Sequence, residues 1–167
     1  MLRDRSGNVK GMLEKGKKKI QKLDLGKTIK LMYGDSEDLP FENDSFDAVT
    51  VGFGVRNFEN LNKGLEEIKR VMKKGGLGIV QVPFYDPIPE KTIEDKTVVS
   101  KKEREKLYGQ SDHVRKYGKE YKGRLESTGL HVKVIKPNKF LNKSEIRGYG
   151  IIEDEELFII INHQSLP

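Results

Sequence analysis

The stretch from residue 46 to residue 82 constrains the fold more than any other part of the sequence. A short β-branched run, Phe46–Val51, is followed by an amphipathic helical pattern over Asn60–Lys73 and by a second short apolar run, Leu77–Val82. Short apolar runs are typical of strands buried on both faces of a parallel sheet, and a helix between two of them is the usual crossover connection. The stretch therefore predicts an α/β fold built on a parallel sheet.

The patterns on either side extend this organisation. Before the stretch, the sequence predicts a helix over Val9–Leu23 and a strand over Thr28–Tyr33. After it, we expect two helices and then two strands that form an antiparallel edge of the sheet: Ser100–Tyr108, Lys119–Ser127, His131–Ile135 and Glu156–Asn162. All of these elements fit one domain spanning residues 1–167.

Three prolines, Pro83, Pro87 and Pro89, interrupt regular structure directly after the second apolar run. Long excursions from the end of a strand often border the active site of an α/β enzyme. We therefore expect residues 83–118 to leave the sheet and to form part of the rim of such a site.

Composition excludes several classes of function. The chain has 167 residues, a net charge of +6, no cysteine and three histidines. Without cysteine there is no disulfide framework or thiolate metal site, and the histidines lack ligand spacing, so no metal is expected. No apolar run approaches the roughly 18 residues of a membrane span. The lysine run from Lys15 to Lys22 has no interleaved aromatic residues to stack bases, which favours a solvated helix face over a nucleic-acid site. A cytoplasmic location is expected.

Three segments follow predicted strands, at the carboxyl ends where open α/β sheets bind ligands. They are Gly34-Asp35-Ser36, Gly52-Phe53-Gly54 and Pro83-Phe84-Tyr85. Glycine allows close approach of the backbone to a ligand, an acid accepts hydrogen bonds, and an aromatic ring offers a flat wall. Each segment also has a simpler interpretation, as a plain turn, a bend that packs Phe53 into the core, or a loop anchor. Their occurrence after three neighbouring strands favours a site.

A fourth group of polar residues lies between Gln110 and Gly118. His113 is a candidate general base and Asp112 is a candidate to orient it, while Arg115 and Tyr117 are candidates to bind an acceptor. A surface cluster that caps neighbouring helices is the alternative.

The motifs resemble a known family. Gly34–Phe41 (GDSEDLPF), Asp44–Asp47 (DSFD), Phe53–Asn57 (FGVRN) and Glu67–Gly76 (EIKRVMKKGG) are similar to the ubiquinone/menaquinone biosynthesis C-methyltransferases over residues 12–82. Residues 92–129 resemble another branch, the type-11 methyltransferases. Both branches are class I S-adenosylmethionine (SAM)-dependent methyltransferases, which implies a Rossmann-like three-layer sandwich, SAM as cofactor and a small-molecule acceptor.

The resemblance also assigns residues. It implies that Asp35 and Ser36 flank the SAM adenine, that Gly34 also binds the cofactor, and that Gly52 replaces a serine that touches SAM. It places Phe53 with the cofactor, and Arg56 and Asn57 beside the site of methyl transfer. The acceptor is left open between a quinone-ring carbon and a sugar or other polar metabolite.

One departure from the family bears on activity. Aligned on these motifs, the chain lacks the glycine-rich turn that holds the methionine part of SAM, and Gly7 or Asn8 falls where an acid binds the ribose. The domain is therefore expected to be N-terminally truncated and to lack a central strand, which exposes its neighbours. We expect a second copy or a paralogue to cover the sheet, a reduced sheet to be tolerated, or the chain to be a fragment. An inactive methyltransferase-like domain that acts through protein contacts is the alternative to an enzyme.

Overall fold

The computed structural model describes residues 9–163, and Gly7 and Asn8 lie outside the described residues. Within that range it contains five α-helices and four strands, in the order α1 (Val9–Lys22), β1 (Phe46–Gly52), α2 (Leu61–Val71), β2 (Met72–Gln81), α3 (Lys101–Tyr108), α4 (Tyr121–Glu126), β3 (His131–Ile135), α5 (Lys143–Tyr149) and β4 (Leu157–Ile161). Two short 3-10 turns, Gly54–Asn57 and Pro137–Lys139, follow β1 and β3.

The described strands form one mixed sheet in the order β1-β2-β4-β3. β1 and β2 are parallel, with Val51 opposite Val80, whereas β4 is antiparallel to both β2 and β3. The parallel pair at one end confirms the crossover predicted from residues 46–82. The antiparallel pair at the other end confirms the predicted C-terminal edge.

Helix α2 forms where the sequence predicts the crossover helix. The Asn60 side chain accepts a hydrogen bond from the Lys63 amide (3.1 Å) and caps the first turn. The helix ends at Val71 and the chain continues directly into β2. The predicted stop, Lys73–Gly76, belongs to β2 instead, where Gly75 has a φ of 78° and the register with β1 is interrupted. Glycine adopts that left-handed conformation without steric cost.

One face of the sheet is covered by helices. Val80 and Ile160 are fully buried on this face, in a core shared with Leu65 of α2 and Leu125 of α4. Because strand residues alternate between faces, the neighbours of Val80 point away from this core, and Ile79 is 38% exposed. Of the predicted three layers, the described residues thus form the sheet and the helical layer on one face.

The prediction of a strand over Thr28–Tyr33 is wrong, because the described sheet contains no strand there. The segment has no regular secondary structure, and Tyr33 is 65% exposed. A segment joins a sheet only where a neighbouring strand pairs with its backbone groups, and among the described residues this one has no such neighbour. β1 is consequently an edge strand of the described sheet.

Candidate functional site

The chain turns sharply at the carboxyl end of β1. The Phe53 amide donates to the Gln81 carbonyl (3.1 Å), and Phe53 has a φ of 59°, a left-handed conformation that is costly for an aromatic residue. Its ring is 41% exposed, so it is not packed in the core. A methyl group built on Gly52 meets no atom within 4 Å, which shows open space next to it. The end of β1 thus presents an open backbone and an exposed aromatic ring.

A turn at residues 35–38 contacts the end of the connection that leads from β1 to α2. Asp35 Oδ1 accepts a hydrogen bond from the Glu37 amide (3.0 Å), and Asp35 and Asp38 form an isolated backbone bridge. The Glu37 carboxylate accepts from the amides of Glu59 (2.6 Å) and Asn60 (3.0 Å), at the start of α2. Glu37 therefore ties the segment containing Gly34, Asp35 and Ser36 to the connection between β1 and α2. The binding of a cofactor by Gly34, Asp35 and Ser36 stays a prediction.

Arg56, Asp112 and His113 come together in the structure. Arg56 lies in the 3-10 turn after β1, and its Nη1 donates to the Phe53 carbonyl (3.0 Å). Its Nη2 lies 3.7 Å from Asp112 Oδ2, and Asp112 Oδ1 lies 3.9 Å from His113 Nε2. Two groups that the sequence separates by more than fifty residues thus form one charged cluster.

His113 is 1% exposed and contacts Tyr85, whose hydroxyl lies 3.5 Å from its Nδ1. Gln110 Nε2 donates to the same hydroxyl (3.0 Å). Burial lowers the pKa of His113, the positive charge of Arg56 lowers it further, and Asp112 acts in the opposite direction. A pKa below 6.5 leaves the imidazole neutral at pH 7 and able to accept a proton. Tyr85 and Gln110 were not assigned a role from the sequence, although Tyr85 belongs to the segment flagged after β2.

Arg115 and Tyr117 are buried, as is His113. Arg115 donates from Nε to Glu94 (3.0 Å) and from Nη1 to the Val55 carbonyl (3.3 Å). Burial acts to raise the pKa of Glu94, but hydrogen bonds from Arg124 and Arg115 outweigh it and hold that pKa below its usual value. Tyr117 is fully buried, which raises its pKa to about 12. These contacts tie residues 94–117 to the turn after β1, and the roles of both residues in binding an acceptor stay predictions.

Three predicted substrate-binding residues carry buried polar atoms without a hydrogen-bond partner among the described residues. Four such side-chain atoms exist there, and three of them are Arg56 Nε, Asn57 Oδ1 and the Tyr117 hydroxyl. A buried polar group left unpaired costs about 1–3 kcal/mol. The turn after β1 therefore has unused hydrogen-bonding capacity of both kinds, a donor on Arg56 and an acceptor on Asn57.

Two negative findings concern the described residues. Between residues 9 and 163 no group of three or more histidines and acids is arranged to hold a metal ion. No helix in that range is long and apolar enough to cross a membrane.

Residues 7–88 match the ubiE/COQ5 methyltransferase family. The match confirms the resemblance of the first half to quinone-biosynthesis methyltransferases. The resemblance of residues 92–129 to type-11 methyltransferases stays a prediction.

Curated relatives agree with this match over the same half. A demethylmenaquinone methyltransferase from Bacteroides fragilis is 43% identical over 93 residues, which are 53% of this chain and 38% of that protein. One from Staphylococcus aureus is 47% identical over 66 residues, which are 40% of this chain and 26% of that protein. The chain thus spans well under half the length of these relatives.

Solved structures extend the similarity to nearly the whole chain. The YcgJ protein of Bacillus subtilis has a TM-score of 0.62 at 18% identity, covering 94% of this chain and 80% of that one. A candidate S-adenosyl-L-methionine-dependent methyltransferase from Methanococcus maripaludis has a TM-score of 0.58 at 16% identity, covering 94% and 65%. At these identities the likeness concerns the fold alone, and it confirms the predicted Rossmann-like methyltransferase fold.

Proposed function

We propose that this chain takes part in SAM-dependent methyl transfer to a small-molecule acceptor at the carboxyl end of β1. The observation that carries the proposal is the pair of unsatisfied buried atoms, Arg56 Nε and Asn57 Oδ1, directly after the open strand end at Gly52 and Phe53. A bound molecule with both a donor and an acceptor satisfies them. The family match over residues 7–88 supplies the reaction class.

SAM is the expected cofactor, and when bound it supplies an electrophilic methyl group. The residues present fit the adenine side of this cofactor. The exposed Phe53 ring and the open space at Gly52 suit a flat base, and the Glu37 contacts hold the turn that contains Asp35 and Ser36 against the connection between β1 and α2. We assign adenine binding to these two segments.

The acceptor site is assigned to Arg56 and Asn57, with His113 as the base. The neutral imidazole of His113 can take a proton from an acceptor hydroxyl, and Asp112 and Tyr85 flank its two ring nitrogens. The Arg56 guanidinium stabilises the oxyanion that this transfer leaves. Arg115 has a positioning role, because its Nη1 donates a hydrogen bond to the Val55 carbonyl in the same turn. Between the two acceptor classes, we favour a hydroxylated quinone ring. The reason is that relatives matching the first half of the chain are named demethylmenaquinone methyltransferases. The cytoplasm stays the expected compartment.

Calorimetry with SAM and S-adenosylhomocysteine tests the cofactor half of the proposal. Wild-type protein should bind both, and Phe53→Ala and Asp35→Ala should weaken binding. Phe140→Ala is the matched control, because Phe140 is also an exposed aromatic (54%) but follows the distant turn Pro137–Lys139. A folded protein that gives no binding heat at millimolar ligand overturns the cofactor assignment.

Methyl transfer from labelled SAM tests the acceptor half. A demethylated quinol and a panel of sugars should be compared, with transfer expected to the quinol only. His113→Gln should lower the rate with little change in SAM affinity, and Arg56→Lys should raise the acceptor KM because a lysine lacks the Nε donor. Equal rates in wild type and His113→Gln across pH 5–8 contradict the base assignment.

A second function, as a catalytically inactive partner domain, has one observation in its favour. The open face of the described sheet exposes Leu77 (51%) and Ile79, and β1 is an edge strand. Such edges pair readily with other chains. A stable complex with an active methyltransferase, formed by a protein that binds no SAM, distinguishes this function from the first.

A further inference from the structure

We propose that residues 9–33, which we call the N-terminal surface, bind the face of an anionic lipid bilayer. This inference goes beyond the proposed function, because lipid binding requires neither SAM nor an acceptor. It rests on the charge, the exposed apolar side chains and the loose packing of that surface.

The charge of the N-terminal surface accounts for the charge of the molecule. It contains eight lysines and two acids, a net charge of +6, which equals the net charge of the whole chain. Six of these lysines lie on α1: Lys10, Lys15, Lys17, Lys18, Lys19 and Lys22. Basic clusters of this density are attracted to the negative potential of an anionic leaflet.

Apolar side chains are exposed in the same region. Met12 is 58% exposed, Leu23 is 65% exposed and Tyr33 is 65% exposed. At 100° per residue, Met12, Leu13 and Ile20 share one side of α1, and Lys17 and Lys19 lie on its two borders. This is the arrangement of a helix that lies in a bilayer interface, with an apolar stripe towards the acyl chains and lysines at the headgroups.

The described residues cover this stripe only in part: Leu13 and Ile20 are half-buried, and Met12 is exposed. None of the α1 side chains from Lys10 to Lys22 is buried. In the segment that follows α1, Leu31 lies against Gly16. Removing the rest of the stripe from water requires a surface outside the described residues.

Three occupants can be compared on charge and polarity. A second copy docked through the same surface brings two sets of eight lysines together, which is repulsive. A nucleic acid matches the charge but offers Met12 and Leu23 no apolar environment. An anionic bilayer provides negative headgroups and an apolar interior at one surface, so it is the occupant that matches both properties.

Vesicle sedimentation tests the inference with the full chain and no other ligand. The protein should bind vesicles of phosphatidylcholine that contain phosphatidylglycerol, should not bind phosphatidylcholine alone, and should be released by added salt. Lys17→Glu/Lys19→Glu should weaken binding roughly tenfold or more, because the two changes remove two attractions and add two repulsions. Met12→Ser/Leu23→Ser should also weaken it, at unchanged charge.

The matched control is Lys139→Glu/Lys143→Glu, an identical change of charge at exposed positions of the turn Pro137–Lys139 and α5, and it should bind like wild type. Circular dichroism confirms that each variant is folded. No binding to anionic vesicles, or equal loss in the control, overturns the inference. So does light scattering that shows a dimer lost in Met12→Ser/Leu23→Ser, since the surface then joins two copies. Because the assay contains no SAM, its failure leaves the calorimetric test of the proposed function untouched.

Discussion

Helices α1 and α2 have similar patterns in the sequence and opposite environments in the structure. Both carry an apolar stripe at helical spacing and lysines elsewhere. In α2 five residues are buried, namely Leu61, Gly64, Leu65, Ile68 and Val71. In α1, from Lys10 onward, none is. The periodicity of a helix thus indicates which side is apolar, and it does not indicate what covers that side.

The neighbours of each helix explain the difference. α2 lies between two strands that pair with each other, and its Arg70 donates to the carbonyls of Leu39 and Phe41 and to the Glu67 carboxylate. α1 is followed by residues 28–33, which pair with no described strand. Four experiments measure this contrast, from the largest expected effect to the smallest.

Truncating one apolar side chain on each helix should give the largest difference in the free energy of unfolding. Leu65 is fully buried in α2, so Leu65→Ala should lower the free energy of unfolding by about 2–5 kcal/mol. Met12→Ala on α1 removes a side chain that is 58% exposed and should change it by less than about 0.5 kcal/mol. Urea unfolding of both variants measures the difference. Losses of equal size would show that α1 is packed as tightly as α2.

Each helix has a central glycine, and alanine at the two positions should have opposite effects. At Gly64 an added methyl overlaps the ring of Phe58, which is 3% exposed and cannot move aside, so Gly64→Ala should cost about 1–3 kcal/mol. At Gly16 it meets only the tip of Leu31 (2.6 Å), which is 36% exposed and free to rotate. Gly16→Ala should therefore gain up to about 1 kcal/mol from helix propensity. Thermal unfolding compares the two, and a destabilised Gly16→Ala contradicts the loose packing of α1.

The cap of α2 should contribute less than its core. Asn60→Ala removes the acceptor for the Lys63 amide and should cost about 1 kcal/mol. Asn60→Ser keeps a capping oxygen and should recover most of that loss. If both variants unfold at the same urea concentration as wild type, the cap is not stabilising.

The contacts of Glu67 should make the packed region sensitive to acid. The hydrogen bond from Arg70 holds the pKa of Glu67 below its usual value of 4.5. A carboxylate with a lowered pKa in the folded state stabilises the protein above its unfolded pKa, and this contribution is lost as the pH falls through the folded value. Stability measured from about pH 5 downward should fall more steeply in wild type than in Glu67→Gln. Parallel curves would remove Glu67 from the acid response.

Much of the fold was predictable because its signals are local. β3 has the predicted bounds, and the predicted α3, α4 and β4 differ from the observed elements by one or two residues at an end. Helix α5 was missed, although Asn142 and Glu145 form a capping box at its start (3.0 and 2.8 Å). The strand over residues 28–33 was predicted wrongly, because β-propensity describes a segment and pairing requires a neighbour.

For the candidate site, the sequence determined which residues are polar and which strand ends they follow. Gly52 and Phe53 were identified in that way, whereas Arg56 and Asn57 were identified through the resemblance of their motif to a methyltransferase family. Only the tertiary structure decided that Arg56 meets Asp112 and His113, that Arg115 is neutralised by Glu94, and that Tyr85 contacts the imidazole. The physical reason is range: backbone propensity and periodicity act over a few residues, whereas burial and charge pairing depend on segments that meet only when the chain has folded.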